Sequence, residues 1–470
     1  MSLLPIYPLG DPKLNSFLKR RPHYDAEASA LVAQIIQQVE EHGEAAVLGI
    51  VRTYDAPNLT ELWVTEKELE DATISDEHFG ALDHAIDRVR EFHETQLSVI
   101  TEGWEALELG WGWRTTAVEH EPEPTTPNTM ELGPFKIPMP DQMVETGPVG
   151  SGMLGQRLLP IQRVGVYVPG GKASYPSSVV MNVIPAQVAG VEEIIVATPP
   201  DENGKVPDAV LVACRELGIT QIMKAGGAAA VAALAIGVSG REPVDLLVGP
   251  GSRWVTEAKR QLWGRVGLTA YAGPSEVCVC ALPDSDPLAA ASDLLAQLEH
   301  SDDNSGLLIA FSDKQLKEIL DAAAIMVGVA PRGAILKEAL AKESAAVVVS
   351  SVQEAAEIIN RYAPEHLALV GDDPSEIMPL IRNAGCIAMG AYTPQSAGDF
   401  ASGPSHTLPT SGAARFGSPL NVQDFLKFQN MSALELIDLR VLNPIIQGFA
   451  EMEGFPAHGQ ASTVRLVPRV

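Results

Sequence analysis

From residue 164 almost to residue 390, short β-branched apolar runs alternate with stretches of helix length, and few folds accommodate that order. Val164-Gly-Val-Tyr-Val168 reads as a buried strand closed by Pro169-Gly170-Gly171. Helices over 177–189, 209–217, 228–236 and 252–262 then alternate with strands over 193–197, 220–224 and 245–248. A second series opens with a strand over 276–282, after which Asp286 and Pro287 offer a cap and a first-turn proline for a helix through 299. Strands over 307–311, 345–349, 367–370 and 386–389 follow, with helices over 313–326 and 352–362. Strands separated by helices of this length need crossover connections, hence parallel sheets covered on both faces. The expected architecture is α/β, with two Rossmann-like open domains.

A chain of 470 residues is too long for one ordinary core. Apolar residues at three-and-four spacing predict helices over 26–41 and 78–96. Between 121 and 150, prolines at 122, 124, 127, 134, 138, 140 and 148 forbid a helix and a central strand, so an exposed acidic loop or insertion is expected. From Gly412 onward the pattern turns helical. The expected division is an arm over 1–24, a discontinuous first α/β domain over 25–120 and 275–411, the 121–150 insertion, a second α/β domain over 151–274, and a tail over 412–470.

A net charge of −27 leaves no basic face for phosphate, which excludes a nucleic-acid partner. The longest apolar run, 225–237, falls short of the roughly 18 residues of a membrane span. The first residues lack a charged region followed by an apolar core, so a cytoplasmic protein is expected. Cys214, Cys278, Cys280 and Cys386 match no zinc-finger spacing and no disulfide framework. Cys278 and Cys280 lie two apart in an apolar run, which puts them on one face of a strand as reduced core thiols.

The chemistry-bearing residues concentrate elsewhere. Ser396-Ala-Gly-Asp399 leads through a glycine-containing loop to His406, with Glu365 and His366 just upstream. Gln297 and His300 stand three apart on a predicted helix, and His458 lies near the C-terminus. Gln297, His300, Asp399 and His458 make an N/O donor set that suits zinc with room for a substrate. No His-Glu-x-x-His pair exists, so a ready-made metallopeptidase is excluded. Pro169-Gly170-Gly171 and Gly249-Pro250-Gly251 each close a strand and open a helix, where backbone N–H groups can meet a phosphate, but neither matches Gly-x-Gly-x-x-Gly.

Val164-Gly-Val-Tyr-Val-Pro-Gly-Gly171, Ile184-Pro-Ala-Gln-Val-Ala-Gly190, Val255-Thr-Glu-Ala-Lys-Arg260, Ala272-Gly-Pro-Ser-Glu-Val277, Pro364-Glu-His366 and Ser396-Ala-Gly-Asp399 together resemble the histidinol dehydrogenase family, in order and over nearly the whole chain. The resemblance implies a zinc-containing, NAD-dependent homodimer that oxidises L-histidinol through L-histidinal to L-histidine, with one Zn2+ per subunit and two NAD consumed. It implies Gln297, His300, Asp399 and His458 as zinc ligands and Glu365 and His366 as the catalytic pair. Substrate contacts would add Ser275, His406 and Glu453, and Tyr167 would stand near the cofactor. It further implies an intertwined dimer whose C-terminal tail, with Glu453 and His458, completes the partner's site. Proton transfer agrees with these roles: a near-neutral base suits alcohol oxidation and a second base can activate water for the aldehyde.

Two departures stand out. Gly226-Gly-Ala-Ala229 replaces the family's Gly-Gly-Ala-Gln, and Gly249-Pro-Gly-Ser252 replaces Gly-Pro-Gly-Asn, both at cofactor-contacting positions. They keep open a zinc- and NAD-dependent relative acting on another small polar alcohol, such as a hydroxy-sulfonate. A catalytically silent scaffold binding a partner through 121–150 is the third reading; the intact base and ligand sets oppose it.

Overall fold

A computed structural model describes residues 3–19, 26–105, 129–132, 135–138, 143–149, 152–171, 173–269 and 273–467. The chain divides into two compact units, 1–94 with 161–425 and 95–160 with 426–470.

The first unit holds two five-stranded parallel sheets. One runs in the order Ser344–Val348, Ser305–Ala310, Glu276–Ala281, His366–Val370, Cys386–Met389. The other runs Ile222–Lys224, Glu193–Thr198, Arg163–Tyr167, Leu246–Val248, Gly267–Leu268, and its last short strand was not foreseen. The central strands of both are buried on both faces, as near-continuous apolar sequence demands. At the end of Arg163–Tyr167 the backbones crowd: a Cβ on Gly249 (φ 98°) would lie 2.1 Å from the Tyr167 carbonyl oxygen, so only glycine fits there.

Each sheet has its own cover. One face of the 276–389 sheet packs on Leu294, Leu298, Leu316, Ile319 and Leu336 from its crossover helices. The other face carries Cys278 and Cys280 together, against Leu14, Leu18, Ile358 and Ile359. Residues 3–19 act as an arm that bonds to this sheet's outer strand, Tyr7 N donating to Ala346 O and Ala346 N to Pro5 O. The helices Ala26–His42 and Glu44–Tyr54, expected to accompany the 275–411 domain, instead share a core with the 161–268 sheet: Val32, Val39, Val47 and Val51 meet Tyr167 and Ala228 to Ala235. The short alanine side chains of Gly227–Ile236 let those helices approach closely, whereas the other sheet is already covered.

In the second unit, Leu426–Ala433, Gly152–Pro160 and Met143–Val149 form an antiparallel sheet in that order, and Thr129–Leu132 pairs with Phe135–Pro138. The proline-rich stretch thus contains strands, although residues 121–128 lie outside the described residues. Pro148 is tolerated because Met143–Val149 is an edge strand whose register shifts between Thr146 and Val149. The tail also differs from an all-helical segment. It opens with Leu426–Ala433, held by pairing with Gly152–Pro160, before the helices Leu436–Glu453 and Pro456–Thr463.

Among the described residues no helix is long and apolar enough to cross a membrane. Cys214, Cys278 and Cys280 are fully buried, and burial raises all three thiols, Cys280 to about 12. A thiol reagent is expected to reach Cys386 alone in the native protein and all four after unfolding, as mass spectrometry would record.

Candidate active site

Ala363, in the left-handed conformation (φ 52°, ψ 63°), stops the helix Val352–Tyr362, and Pro364 turns the chain into the strand His366–Val370. Glu365 and His366 are thereby delivered to the amino end of a central strand, 7% and 4% exposed. The Glu276 N–H, opening the neighbouring strand, donates to Glu365 Oε2 at 2.7 Å. Burial drives the Glu365 carboxyl well above the usual range, against that hydrogen bond and with help from the Glu276 and Asp399 charges. Burial, then the His406 and His300 charges, lowers His366 to about 3. Its Nε2 lies 3.8 Å from both Glu365 Oε1 and Asp399 Oδ1, so a neutral imidazole sits among carboxyl groups without forming an ion pair.

The remaining groups arrive on helix ends. Asp399, near the end of Gln395–Phe400, accepts from Gln297 Nε2 at 2.6 Å. Burial pushes Asp399 up to about 7, opposed by that amide. Gln297 closes the last turn of Pro287–Leu298, and His300 follows it, half-buried. Burial lowers His300, with Glu299 opposing. Its charge acts on both His366 and His406, so the three imidazoles stand near one another. His406 Nδ1 is 2.8 Å from the Asp399 carbonyl oxygen and its Nε2 3.4 Å from Ser178 Oγ, and burial lowers it to about 4. The helix Pro176–Val188 steadies this loop: Asn182 Nδ2 donates to Thr407 Oγ1 and Ser405 Oγ donates to Met181 O, both at 3.0 Å.

Gln297, His300, Glu365, His366, Asp399 and His406 are thus brought together, with Ser275 one residue before Glu276. Tyr167 ends a strand of the other sheet, and its hydroxyl accepts from Gly227 N at 3.1 Å. Burial raises Tyr167 to about 12. Glu453 and His458 belong to the second unit and are exposed, the His458 ring lying 5.3 Å from that of Phe455.

Sequence reasoning missed several supporting residues. Asn304, almost fully buried, accepts from Ser275 N at 3.1 Å and donates to the Gln297 carbonyl at 2.8 Å. In sequence it is one more polar residue of a turn. Asp293 accepts from Gln395 N at 3.0 Å; its place one helical turn before Gln297 was the available signal.

Among the described residues no group of three or more His, Cys, Asp or Glu side chains is placed to hold a metal. Gln297 with His300 and Asp399 is nonetheless an N/O donor set that zinc accepts, and a carboxyl that burial pushes up to about 7 is one a cation would keep ionised. On the other sheet, Gly171 (φ 93°) and Gly227 (φ 59°) have open space where a Cβ would stand, which suits a ligand approaching backbone.

Buried carboxyl and imidazole groups gathered at the amino ends of interior parallel strands mark the candidate site of an α/β enzyme. The model of the family described as histidinol dehydrogenase matches residues 18–119 and 138–466, and this chain belongs to that family. It is 37% identical to the histidinol dehydrogenase of Chlorobaculum tepidum over 98% of both chains. With that of Geobacter sulfurreducens it shares 38% identity over 97% of both. The crystal structure of histidinol dehydrogenase from Elizabethkingia anophelis superposes with a TM-score of 0.82 at 29% identity, covering 99% of this chain and 98% of that one.

Proposed function

We propose that this protein oxidises L-histidinol to L-histidine through L-histidinal, the last steps of histidine biosynthesis, in the cytoplasm. The observation that carries the reading is the neutral His366 buried beside Glu365 and the Gln297–Asp399 pair. Gln297, His300 and Asp399, with His458 from a second copy, would hold zinc, which when bound anchors the substrate's imidazole and amine. Tyr167 stands where NAD would be received, and NAD when bound would supply the hydride acceptor for each oxidation. His366 takes the hydroxyl proton as hydride leaves C–H in the alcohol step. Glu365, steadied by the Glu276 N–H, takes a proton from the water that adds to the aldehyde, and a second hydride loss gives the acid. Ser275, His406 and Glu453 contact the substrate.

A shared site is supported by the helix Leu436–Glu453, which exposes Ile437, Val441, Ile445, Phe449 and Met452 along one stripe. An apolar stripe of that length is expected to be covered, here by a second copy.

The test is NADH formation by the zinc-loaded protein with L-histidinol, L-histidinal and small hydroxy-sulfonates compared. Turnover of L-histidinol with two NADH per L-histidine is expected. Preference for a hydroxy-sulfonate would replace the substrate assignment.

A further inference from the structure

We infer that Asp293 and the backbone N–H of Gln395 form a strut that sets the spacing of the zinc ligands Gln297 and Asp399, an inference that rests on the metal reading above. Gln297 follows Asp293 by four residues on Pro287–Leu298, and Asp399 follows Gln395 by four on Gln395–Phe400. Residues four apart lie one above the other on a helix face. Two rungs therefore join the two helices one turn apart: Gln395 N to Asp293 Oδ1 at 3.0 Å, and Gln297 Nε2 to Asp399 Oδ2 at 2.6 Å. All four residues are buried, at 6%, 2%, 1% and 8% exposure for Asp293, Gln297, Gln395 and Asp399.

The two rungs serve different ends. A cation gripped by Gln297 and Asp399 needs their oxygens turned toward it, so the lower rung must open when metal enters. The upper rung does not touch the ligand atoms and stays closed, holding the helices at one separation while their last turns rearrange. It depends on the Gln395 backbone, because the Gln395 side-chain amide is buried with no hydrogen-bond partner among the described residues. Asp293 thus acts as a positioning residue, through the helices.

The strut can be cut from either side. Asp293→Leu removes the acceptor at similar size, whereas Asp293→Asn retains an acceptor oxygen. Gln395→Pro removes the donor at the first helical position, where proline is accepted, and Pro394 already has the extended backbone (φ −70°, ψ 151°) that precedes a proline. Zinc affinity of the stripped, full-length protein is measured by competition with a chromophoric chelator, with circular dichroism and thermal unfolding as the check of fold. Asp293→Leu and Gln395→Pro are expected to weaken zinc by about tenfold or more, as loss of outer partners does. Asp293→Asn should stay close to the unaltered protein. The inference falls if both cuts leave zinc affinity unchanged, or if Asp293→Asn weakens it as much as Asp293→Leu, since charge would then be the cause. Unfolding of both cut variants would also overturn it, by making the contact a general requirement of the core. An unaltered protein that takes up no zinc removes the metal reading itself, whereas zinc uptake indifferent to the cuts removes the strut alone.

Discussion

Replacing His366 by asparagine is expected to lower kcat/KM for L-histidinol by ~10²–10⁴, the usual contribution of a positioned base. Burial keeps the imidazole neutral, and its Nε2, 3.8 Å from Glu365 Oε1 and Asp399 Oδ1, is the atom that would take the hydroxyl proton. Asparagine has similar size and polarity but cannot take that proton. Glu365→Gln is expected to act chiefly on the second stage, because its proton transfer is from water to carboxylate rather than from alcohol to imidazole. Steady-state NADH formation with L-histidinol and, separately, with L-histidinal measures the two. Equal loss in both steps for Glu365→Gln would end the division of labour between these neighbours.

Two inactive proteins are expected to recover activity when combined. A chain carrying both Glu365→Ala and His366→Ala would lack the proposed bases, and a chain carrying His458→Ala would lack the ligand that a shared site lends to its partner. In a heterodimer one site then draws its bases from the second chain and its tail from the first, and is wholly intact. Co-expression with two affinity tags, followed by isolation of the doubly tagged dimer, measures the recovery. A zinc-loaded heterodimer without activity would mean that each site is built within one chain.

The parallel sheets were readable because apolar β-branched runs have few other uses at helix-length spacing. Which sheet receives a flanking helix was not readable. Val32, Val39, Val47 and Val51 make an apolar face that fits either sheet, and the choice falls to the alanine-lined helix Gly227–Ile236. The prolines correctly exclude a central strand at 143–149, yet an edge strand with a register shift has room for Pro148. At the site, Glu365, His366, Gln297 and Asp399 were singled out by residue type, and the structure places their side chains next to one another. Their support was not legible: Asn304 works through Ser275 N and Gln297 O, and the Glu276 N–H through Glu365. Backbone partners leave no mark on side-chain identity. The edge was also unforeseen, since ligands of open α/β sheets usually gather at the carboxyl ends of strands and this cluster lies at the amino ends of Glu276–Ala281 and His366–Val370.

That edge has an electrostatic character of its own. Pro287–Leu298 ends beside His300 and Val352–Tyr362 ends just before Glu365, so both helices turn their partially negative poles toward the cluster. The glycine turn at 249–251 leads instead into the start of Arg253–Leu262, a partially positive pole. A divalent cation and a substrate ammonium are favoured at the first kind of pole, the diphosphate of a dinucleotide at the second. Under the proposed reaction, the helix ends would favour the cation at the cluster and the diphosphate at the turn of 249–251.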